Sequence, residues 1–222
     1  QDEFAMRSHN LAEAAQAKLA EEIAPIVADS ANGVVVSEDE GIRKGQSMEA
    51  LAKPRPVFDK KHGTVTAGNS SQITDGAAAV ILMSEERAKE LGLKPLGYLK
   101  EYAYAGLDPH RMGMGPVYAT KRLFEKSGAK LSDIDLIEMN EAFAAQVIAC
   151  ERGFVQEGLG TISRDILNVN GGAIALGHPV GMTGTRIIIT LLKELRRRGK
   201  NTGLATLCIG GGQGGAVLVE VN

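Results

Sequence analysis

The sequence of 222 residues is poor in aromatic residues and nearly free of cysteine. It has no Trp, aromatic side chains make up 4% of it, and Cys150 and Cys208 are its two cysteines. Two cysteines cannot build a disulfide framework, and they fit a reducing compartment such as the cytoplasm. The sequence also has four His residues, and neither they nor the cysteines stand at the spacing of zinc ligands, so we expect no metal site.

Neither charge sign dominates the composition, and apolar runs are short. The net charge of −2 gives no global reason to expect nucleic acid or an anionic membrane as a partner. The apolar run AAAVILM at 77–83 is far shorter than a bilayer-spanning helix. No segment resembles a signal or transit peptide, and the chain opens at Gln1 without an initiator Met. We therefore expect a cytoplasmic protein whose natural start lies outside this sequence.

The first part of the chain contains one clear helix pattern. Apolar or small residues recur on one helical face from Glu3 to Ile23, and Pro25 ends the pattern. The segment GVVVS at 33–37 predicts a strand. Residues 39–63 lack periodicity and carry an excess of Lys and Arg, so we expect an ordered surface segment, called here the cationic loop.

From about Thr74 the pattern alternates between strands and helices, which predicts a layered α/β sheet. The predicted strands are 77–84, 95–107, 133–139, 202–209 and 215–222. The predicted helices are 85–91, 116–126, 141–154 and 181–199. We expect the strand at 77–84 to be buried, because nearly all of its residues are apolar.

Cys208 lies near the end of a predicted strand and is followed by a glycine-rich turn. It is either a buried thiol before a tight turn or part of an oxyanion site, because glycines leave backbone N–H groups uncovered beside the sulfur. Gly210, Gly212 and Gly215 satisfy G-x-G-x-x-G, but the segment leads into a strand instead of a helix, which argues against a dinucleotide site. The stretch GHPVGMTGTR likewise lacks the Lys of a phosphate-binding P-loop.

Asn140 and His178 are two further candidates for chemistry. Asn140 follows the strand at 133–139 and either caps the next helix or takes part in a reaction. His178, in GGAIALGHPVGMTGTR, has no acidic residue in the stretch to pair with, so a structural role explains it poorly. Cys150 falls inside a predicted helix, where we expect it to pack against the sheet. A Cys, a His and an Asn at three loop tips over one sheet indicate acyl or carbon–carbon chemistry through an oxyanion.

Three long motifs, in order and in register, resemble one known family. They are NEAFAAQ at 140–146, NVNGGAIALGHPVGMTGTR at 168–186 and LCIGGGQGG at 207–215. The stretches DEFAMRSHNLAEAAQ and GTVTAGNSSQITDGAAAVILMS extend the likeness over the whole chain. The sequence closely resembles the thiolases, which are the acetyl-CoA acyltransferases and acetyltransferases.

The thiolase resemblance implies an α/β fold of two similar βαβαβαββ halves joined by a loop domain. Residues 1–73 would be the later part of the loop domain, which binds CoA, and residues 74–222 would be the C-terminal half. The N-terminal half, which carries the nucleophilic cysteine, would not be part of this sequence, because neither Cys150 nor Cys208 stands in the context of that motif.

The same resemblance implies four catalytic positions. His178 would activate the absent nucleophile and donate to the thioester oxygen, and Asn140 would hold a water that completes this oxyanion hole. Cys208 would be the acid/base that moves a proton at the α-carbon of acetyl-CoA, and the Gly210 N–H would help to bind a second oxyanion. Some relatives in the fatty-acid multienzyme complex have His in place of Asn140, which argues against that branch.

Five positions match CoA contacts of the family: Arg43, Ala67, Ser71, Ala142 and Phe143. Arg43 would meet the nucleotide end of CoA, and Ala67 and Ser71 would meet the pantetheine arm in a tunnel lined by the other two. From the residues alone, a solvated basic surface and a turn hydroxyl are the favoured interpretations of the cationic loop and of Ser71. Pro54 departs from the apolar Leu that relatives often carry beside the adenine.

The expected reaction is CoA-dependent thiolytic cleavage of a 3-ketoacyl-CoA or the reverse Claisen condensation of acetyl-CoA. The expected partners are CoA, acyl-CoA and the missing N-terminal half, in a homodimer or homotetramer, with no permanently bound cofactor. A second hypothesis is a half-thiolase that binds acyl-CoA or a partner subunit without catalysis. Intact His178, Cys208 and Asn140 weigh against this second hypothesis.

Overall fold

The computed structural model describes all 222 residues, and they form two compact units. Residues 1–74, 141–145 and 169–178 make up the first, called here the loop unit. Residues 75–140, 146–168 and 179–222 make up the second, called the sheet unit. The chain therefore passes from one unit to the other several times.

Eight helices and six strands follow one another along the chain. The helices are α1 (Asp2–Ala14), α2 (Gln16–Ala20), α3 (Met48–Leu51), α4 (Glu85–Glu90), α5 (Gly115–Ser127), α6 (Ala144–Gln156), α7 (Ala173–Leu176) and α8 (Thr183–Arg198). The strands are β1 (Ile26–Asp29), β2 (Val34–Val36), β3 (Tyr98–Gly106), β4 (Leu136–Met139), β5 (Thr202–Ile209) and β6 (Gln213–Glu220). None of the helices is both long and apolar enough to cross a membrane.

The loop unit begins with α1 and α2. The helix predicted over 3–23 is confirmed, but it is broken at Ala15, whose φ of −95° and ψ of 4° depart from helical values, and α2 ends ahead of Pro25. Five members of the predicted apolar face are buried, namely Phe4, Ser8, Ala12, Ala15 and Leu19. The strand predicted at 33–37 is confirmed as β2, and it pairs antiparallel with β1, which the sequence analysis did not predict. The cationic loop contains the single turn α3.

The sheet unit holds a four-stranded sheet with the strand order β3-β6-β5-β4. β6 runs antiparallel to β3 and to β5, while β4 and β5 are parallel. A parallel bridge between Ile137 and Leu167 adds a minimal further strand beside β4. From β3 to β6 the sheet unit therefore follows the order βαβαβαββ, with this bridge in the place of the third strand.

Helices cover both faces of the sheet. A Cβ on Gly203 of β5 would lie 2.8 Å from the side chain of Leu191 in α8, and one on Gly214 of β6 would collide with the backbone of Gly115 in α5. Gly214 pairs with Cys208 of β5, so these two residues face the same side of the sheet. Cys208 and Gly203 are five positions apart on β5, so they face opposite sides. α8 and α5 thus lie on opposite faces, and all four residues of β4 are buried between the layers.

The strand predicted at 77–84 is absent from the structure. These residues form no strand, and their apolar side chains lie exposed, with Ile81 at 85% and Leu82 at 78% of full accessibility. An apolar run indicates burial, but it does not identify the strand edge that would satisfy its backbone hydrogen bonds. The prediction of a buried strand at 77–84 is therefore wrong for this chain, whose sheet begins at β3.

Replacement of Gly214 by Ala tests the close packing of β6 against α5. The added methyl group would collide with the backbone of Gly115, which cannot turn aside as a flexible side chain would. We expect Gly214→Ala to lower the free energy of unfolding, measured by urea denaturation, by about 3 kcal/mol. Gly106→Ala on β3 is the matched control, because nothing lies within 4 Å of its added Cβ. Equal losses in the two variants would contradict the packing argument.

Candidate active site

Asn140 and Cys208 lie at the same edge of the sheet. β4 ends at Met139, which pairs with Thr206 of the parallel strand β5. The Asn140 backbone N–H donates to the Thr206 carbonyl oxygen at 2.9 Å, which extends this ladder by one residue. Cys208 follows two positions later on β5. Both residues therefore stand at the carboxyl ends of parallel strands, where open α/β sheets place their chemistry.

Asn140 does not cap the helix that follows it. α6 begins at Ala144, four residues later, so the helix predicted at 141–154 is confirmed with a later start. Asn140 is buried, with 1% of its surface accessible. The interpretation of Asn140 as a helix N-cap is therefore wrong. Its other predicted role, in the reaction itself, stays a prediction.

Asn168 supports the strand end that leads to Asn140, a role that the sequence analysis missed. Its side-chain oxygen accepts from the Met139 N–H and its side-chain amide donates to the Met139 carbonyl oxygen, both at 2.8 Å. Asn168 is fully buried and has a φ of 46°, a left-handed conformation that Asn tolerates better than most residues. Its side chain thus takes the place of a neighbouring strand. In the sequence, Asn168 is marked only as the first residue of NVNGG, and this position does not indicate that its partner is Met139.

Cys208 precedes a hairpin made of glycine. Gly210, Gly211 and Gly212 connect β5 to β6, and the last two have φ values of 84° and 89°. Gly210 is exposed, with open space around its α-carbon, so a flat group can approach the backbone there. Cys208 itself is buried, and burial raises the pKa of its thiol. The thiol is therefore protonated at neutral pH, which suits it to donate a proton.

Cys150 has the environment of a structural thiol. It is fully buried on α6, and its thiol donates to the Gly113 carbonyl oxygen at 3.2 Å, while the Gln146 amide donates to the sulfur at 3.5 Å. Burial raises the pKa of this thiol to about 12. Cys150 is buried, as packing against the sheet would require, and its hydrogen bond is to the turn before α5.

His178 ends a segment of the loop unit that neighbouring side chains hold in place. α7 precedes it, and Gly177 between them has a φ of 91°. A Cβ on Gly177 would lie 2.5 Å from the Thr74 side chain, so this close approach requires glycine. The Gln72 side-chain amide donates to the Ile174 carbonyl oxygen of α7 at 3.2 Å. His178 itself is half-buried.

Ser71, Ala142 and Phe143 come together in the loop unit. The Ser71 N–H donates to the Ala142 carbonyl oxygen at 3.0 Å, and Ser70 pairs antiparallel with Phe143. The Phe143 ring meets the ring of Phe58 edge to face, with the two centroids 5.9 Å apart. Three of the five positions that the family resemblance connects with CoA therefore form one contiguous patch.

Arg43 and Ala67 are exposed in the same unit. The Arg43 backbone N–H donates to Nδ1 of His9, a buried residue of α1, at 3.2 Å. Burial and then the charge of Arg43 lower the pKa of His9 to about 4, so His9 is neutral near pH 7 and can accept this bond. The Gln72 amide also donates to the Gly41 carbonyl oxygen at 2.8 Å. These two bonds hold the backbone on which Arg43 stands, while Arg43 itself stays exposed.

The candidate residues are divided between the two units. Asn140, Cys208 and Gly210 belong to the sheet unit. The loop unit contains His178, Arg43, Ala67, Ser71, Ala142 and Phe143. Each unit therefore contains at least one of the predicted catalytic residues.

Two family models match this chain. The thiolase C-terminal domain matches residues 93–221, and the thiolase N-terminal domain matches residues 1–86. The chain belongs to the thiolase family. The exposed segment 77–84 falls within the region matched by the N-terminal domain of thiolases.

Relatives and solved structures agree with the thiolase fold. The acetyl-CoA acetyltransferase of Rhizobium meliloti is 52% identical over 99% of this chain and 55% of its own length, and a 3-ketoacyl-CoA thiolase of a Marinomonas species is 50% identical over 99% and 56%. The crystal structure of the Bacillus anthracis acetyl-CoA acetyltransferase gives a TM-score of 0.92 at 46% identity, covering 99% of this chain and 55% of that one. Human mitochondrial 3-ketoacyl-CoA thiolase in complex with CoA gives a TM-score of 0.91 at 43% identity, covering 100% and 54%. The predicted fold is confirmed, and the chain spans about half the length of the thiolases it matches.

The two cysteines of this thiolase chain should differ in reactivity. Because a raised pKa lowers the thiolate fraction below that pKa, we expect iodoacetamide to modify both cysteines more slowly at pH 8 than in the urea-unfolded chain, and Cys150 at least about tenfold more slowly. On raising the pH towards 10, Cys208 should begin to react before Cys150. Mass spectrometry of the alkylated peptides measures both rates in one sample. Rapid modification of Cys208 at pH 7 would contradict its assignment as a protonated, buried thiol.

Proposed function

We propose that this chain is the CoA-binding and C-terminal part of an acyltransferase that cleaves a 3-ketoacyl-CoA by thiolysis or, in reverse, condenses acetyl-CoA units. The observation that supports the proposal is the position of Asn140 and Cys208 at the carboxyl edge of one parallel strand pair, beside the glycine hairpin 210–212. Such an edge offers a proton-transfer group next to uncovered backbone N–H groups. Chemistry through an oxyanion needs both.

Cys208 is proposed as the acid/base of both directions. In condensation, the Cys208 thiolate takes a proton from the α-carbon of acetyl-CoA, and the resulting enolate attacks the acyl carbon held as a thioester on the nucleophile, which leaves as a thiolate. In thiolysis, the thiolate of the nucleophile attacks the 3-keto carbon, the Cα–Cβ bond breaks, and the Cys208 thiol gives its proton to the α-carbon of the departing acetyl-CoA. The acyl group stays on the nucleophile as a thioester until the thiol of a second CoA takes it. Since burial raises the pKa of the Cys208 thiol, this thiol carries its proton before the reaction and can donate it in thiolysis.

His178, Asn140 and Gly210 are proposed to stabilise the charge that develops on the thioester oxygens. His178 donates to the thioester oxygen and activates the nucleophile, and Asn140 holds a water in the same oxyanion hole. The Gly210 N–H, in the exposed hairpin, binds the second oxyanion. Donors that are already in place before the reaction stabilise such charge without reorganisation.

CoA is proposed to bind along the loop unit. The patch formed by Ser71, Ala142 and Phe143 provides contacts for the pantetheine arm, to which the exposed Ala67 adds, and the exposed Arg43 faces the phosphates of the nucleotide end. The match to human mitochondrial 3-ketoacyl-CoA thiolase, whose structure contains CoA, supports this assignment. A substrate of this kind requires no permanently bound cofactor.

The nucleophile is proposed to come from an N-terminal half outside this chain. This sequence covers 55% of the Rhizobium meliloti protein, so that thiolase is nearly twice as long. The exposed apolar side chains of Ile81 and Leu82 support the proposal, because a further part of the protein would bury them. The complete enzyme is proposed to act in the cytoplasm as a homodimer or homotetramer.

Binding of CoA to the 222-residue chain tests the role of Arg43. A guanidinium that faces phosphate acts through charge-assisted hydrogen bonds, so we expect Arg43→Ala to weaken CoA affinity by about tenfold or more. The affinity of the parent should also fall as salt is added, and that of the variant should fall less. Isothermal titration calorimetry at two salt concentrations measures both effects.

Arg87→Ala is the charge-matched control for this measurement. Arg87 is an exposed residue of α4 in the sheet unit, where it pairs with Glu90 at 2.8 Å. Its removal changes the net charge by the same amount and should leave CoA affinity unchanged. Identical CoA binding by Arg43→Ala and the parent would remove Arg43 from the proposed site.

Replacement of Cys208 by Ser separates acid/base catalysis from packing. A chimera in which this chain replaces the matching part of the Rhizobium meliloti acetyltransferase supplies the nucleophile. A serine hydroxyl is a far weaker proton acceptor at neutral pH, so we expect acyl-enzyme formation to stay intact while condensation falls by roughly a hundredfold or more. The two steps are measured side by side with radiolabelled acetyl-CoA.

Cys150→Ser is the matched control for Cys208→Ser. The same change at Cys150 should cost about 1 kcal/mol of stability and leave condensation nearly unchanged. Equal condensation rates for Cys208→Ser and the parent would assign Cys208 to the core. A parent chimera that binds acetyl-CoA but forms no acyl-enzyme would instead favour a half-thiolase without catalysis.

A further inference from the structure

Residues 171–177, which lead to His178, form too little regular structure to fix their own position. α7 has four residues, too few to be stable as an isolated helix, and two glycines precede it. If His178 acts on a thioester, small displacements of its imidazole matter, because misplacement by about 1 Å can cost a hundredfold in rate. The position of this segment must therefore come from contacts with the rest of the loop unit.

Ser8 of α1 and Glu141 bind the start of this segment. The Ser8 hydroxyl donates to Oε2 of Glu141 at 2.6 Å and accepts from the Gly172 N–H at 3.1 Å. The same Oε2 atom accepts from the Ile174 N–H at 3.2 Å. The backbone at 172 and at 174 is thus bound through one hydroxyl and one carboxylate.

Both side chains of this pair are fully buried, with no accessible surface at Ser8 or Glu141. A buried carboxylate is costly unless hydrogen bonds compensate it, so displacing the segment would remove donors from a group that needs them. The pair therefore resists displacement of the segment more strongly than an exposed hydrogen bond would.

Glycine at 171 and 172 permits this arrangement. A Cβ on Gly172 would lie against the carboxylate of Glu141, and one on Gly171 would lie 2.6 Å from the Ser8 carbonyl oxygen. The backbone of the segment therefore passes directly over the two side chains. Gly171 thus allows the backbone to lie close to α1, and Gly172 allows it to lie close to the Glu141 carboxylate.

The far end of α7 is held independently. The Gln72 amide donates to the carbonyl oxygens of Ile174 and Ala175 at 3.2 and 3.4 Å, and Thr74 packs against Gly177. The segment is therefore bound at its start by Ser8 and Glu141 and at its end by Gln72 and Thr74. His178 follows directly after this second set of contacts.

We propose that Ser8 and Glu141 are positioning residues for His178. They act through the backbone of 172–174 and touch neither substrate nor nucleophile. The inference rests on the proposed role of His178 in thioester chemistry. It gives the Glu of the NEAF sequence a function separate from that of its neighbour Asn140.

Nuclear magnetic resonance of the 222-residue chain with ¹⁵N-labelled histidine tests the proposal without any turnover. The His178 signals are identified by their loss in His178→Gln. We expect Ser8→Ala and Glu141→Ala to shift the imidazole ¹⁵N signals of His178 and to accelerate amide exchange at Gly172 and Ile174 by about tenfold or more. Glu141→Gln should restore much of the parent spectrum, because its amide oxygen can still accept both hydrogen bonds.

Glu194→Gln is the matched control. Glu194 is a similarly buried carboxylate, on α8 in the sheet unit, and it pairs with Arg197 and Arg198 at 2.7 Å each. We expect this variant to lose stability and to leave the His178 signals unchanged. A loss of stability in Ser8→Ala and Glu141→Ala with unchanged His178 signals would overturn the proposal and leave the pair as part of the core.

The chimera with the Rhizobium meliloti N-terminal part gives the catalytic readout. We expect Ser8→Ala to lower kcat by roughly tenfold or more while KM for CoA stays within about twofold, because the CoA patch is held by other residues. A change in KM alone would contradict the proposal. A chimera that is inactive before any substitution, combined with shifted His178 signals in the variants, would refute the proposed function and support the positioning role.

Discussion

The parallel pairing of β4 with β5 is the interaction on which the candidate site depends. Because parallel strands end at the same edge, the pairing of Met139 with Thr206 brings the residues that follow, Asn140 and Cys208, to one place. A slip of one residue would turn Cys208 to the other face of the sheet. α8 packs against Gly203 of β5 and α5 packs against Gly214 of β6, and neither contact leaves room for a side chain on the glycine.

Buried polar side chains provide the second level of organisation. Asn168, Glu141 and His9 are almost completely buried, and each bonds to the backbone of a segment distant in sequence. An unsatisfied buried polar group costs free energy, so each of these groups specifies one position for the segment it bonds. The glycine-rich segments need such anchors because they have few apolar side chains that could hold them by packing.

Local sequence patterns were sufficient for elements whose signals lie within the element itself. Pro116 and Gly128 delimit α5, and Gly199 ends α8 with a φ of 61°. The same reasoning failed where the outcome depends on a distant partner. α6 does not begin at 141, because Ala142 accepts from the Ser71 N–H and Phe143 pairs antiparallel with Ser70, which holds these two residues in an extended pairing. The segment 77–84 is apolar enough for a strand, but no strand of this chain pairs with it.

By itself, the sequence determined the family and the candidate residues. Asn140, His178 and Cys208 stand in long motifs whose order and spacing can be recognised without coordinates. The tertiary structure alone decided which segments support them. Ser8 meets Glu141 across 133 positions of sequence, and Asn168 meets Met139 across 29. The physical reason is that a hydrogen bond between segments depends on the path of the whole chain, whereas periodicity, capping and turn propensity report the conformation of a few neighbouring residues.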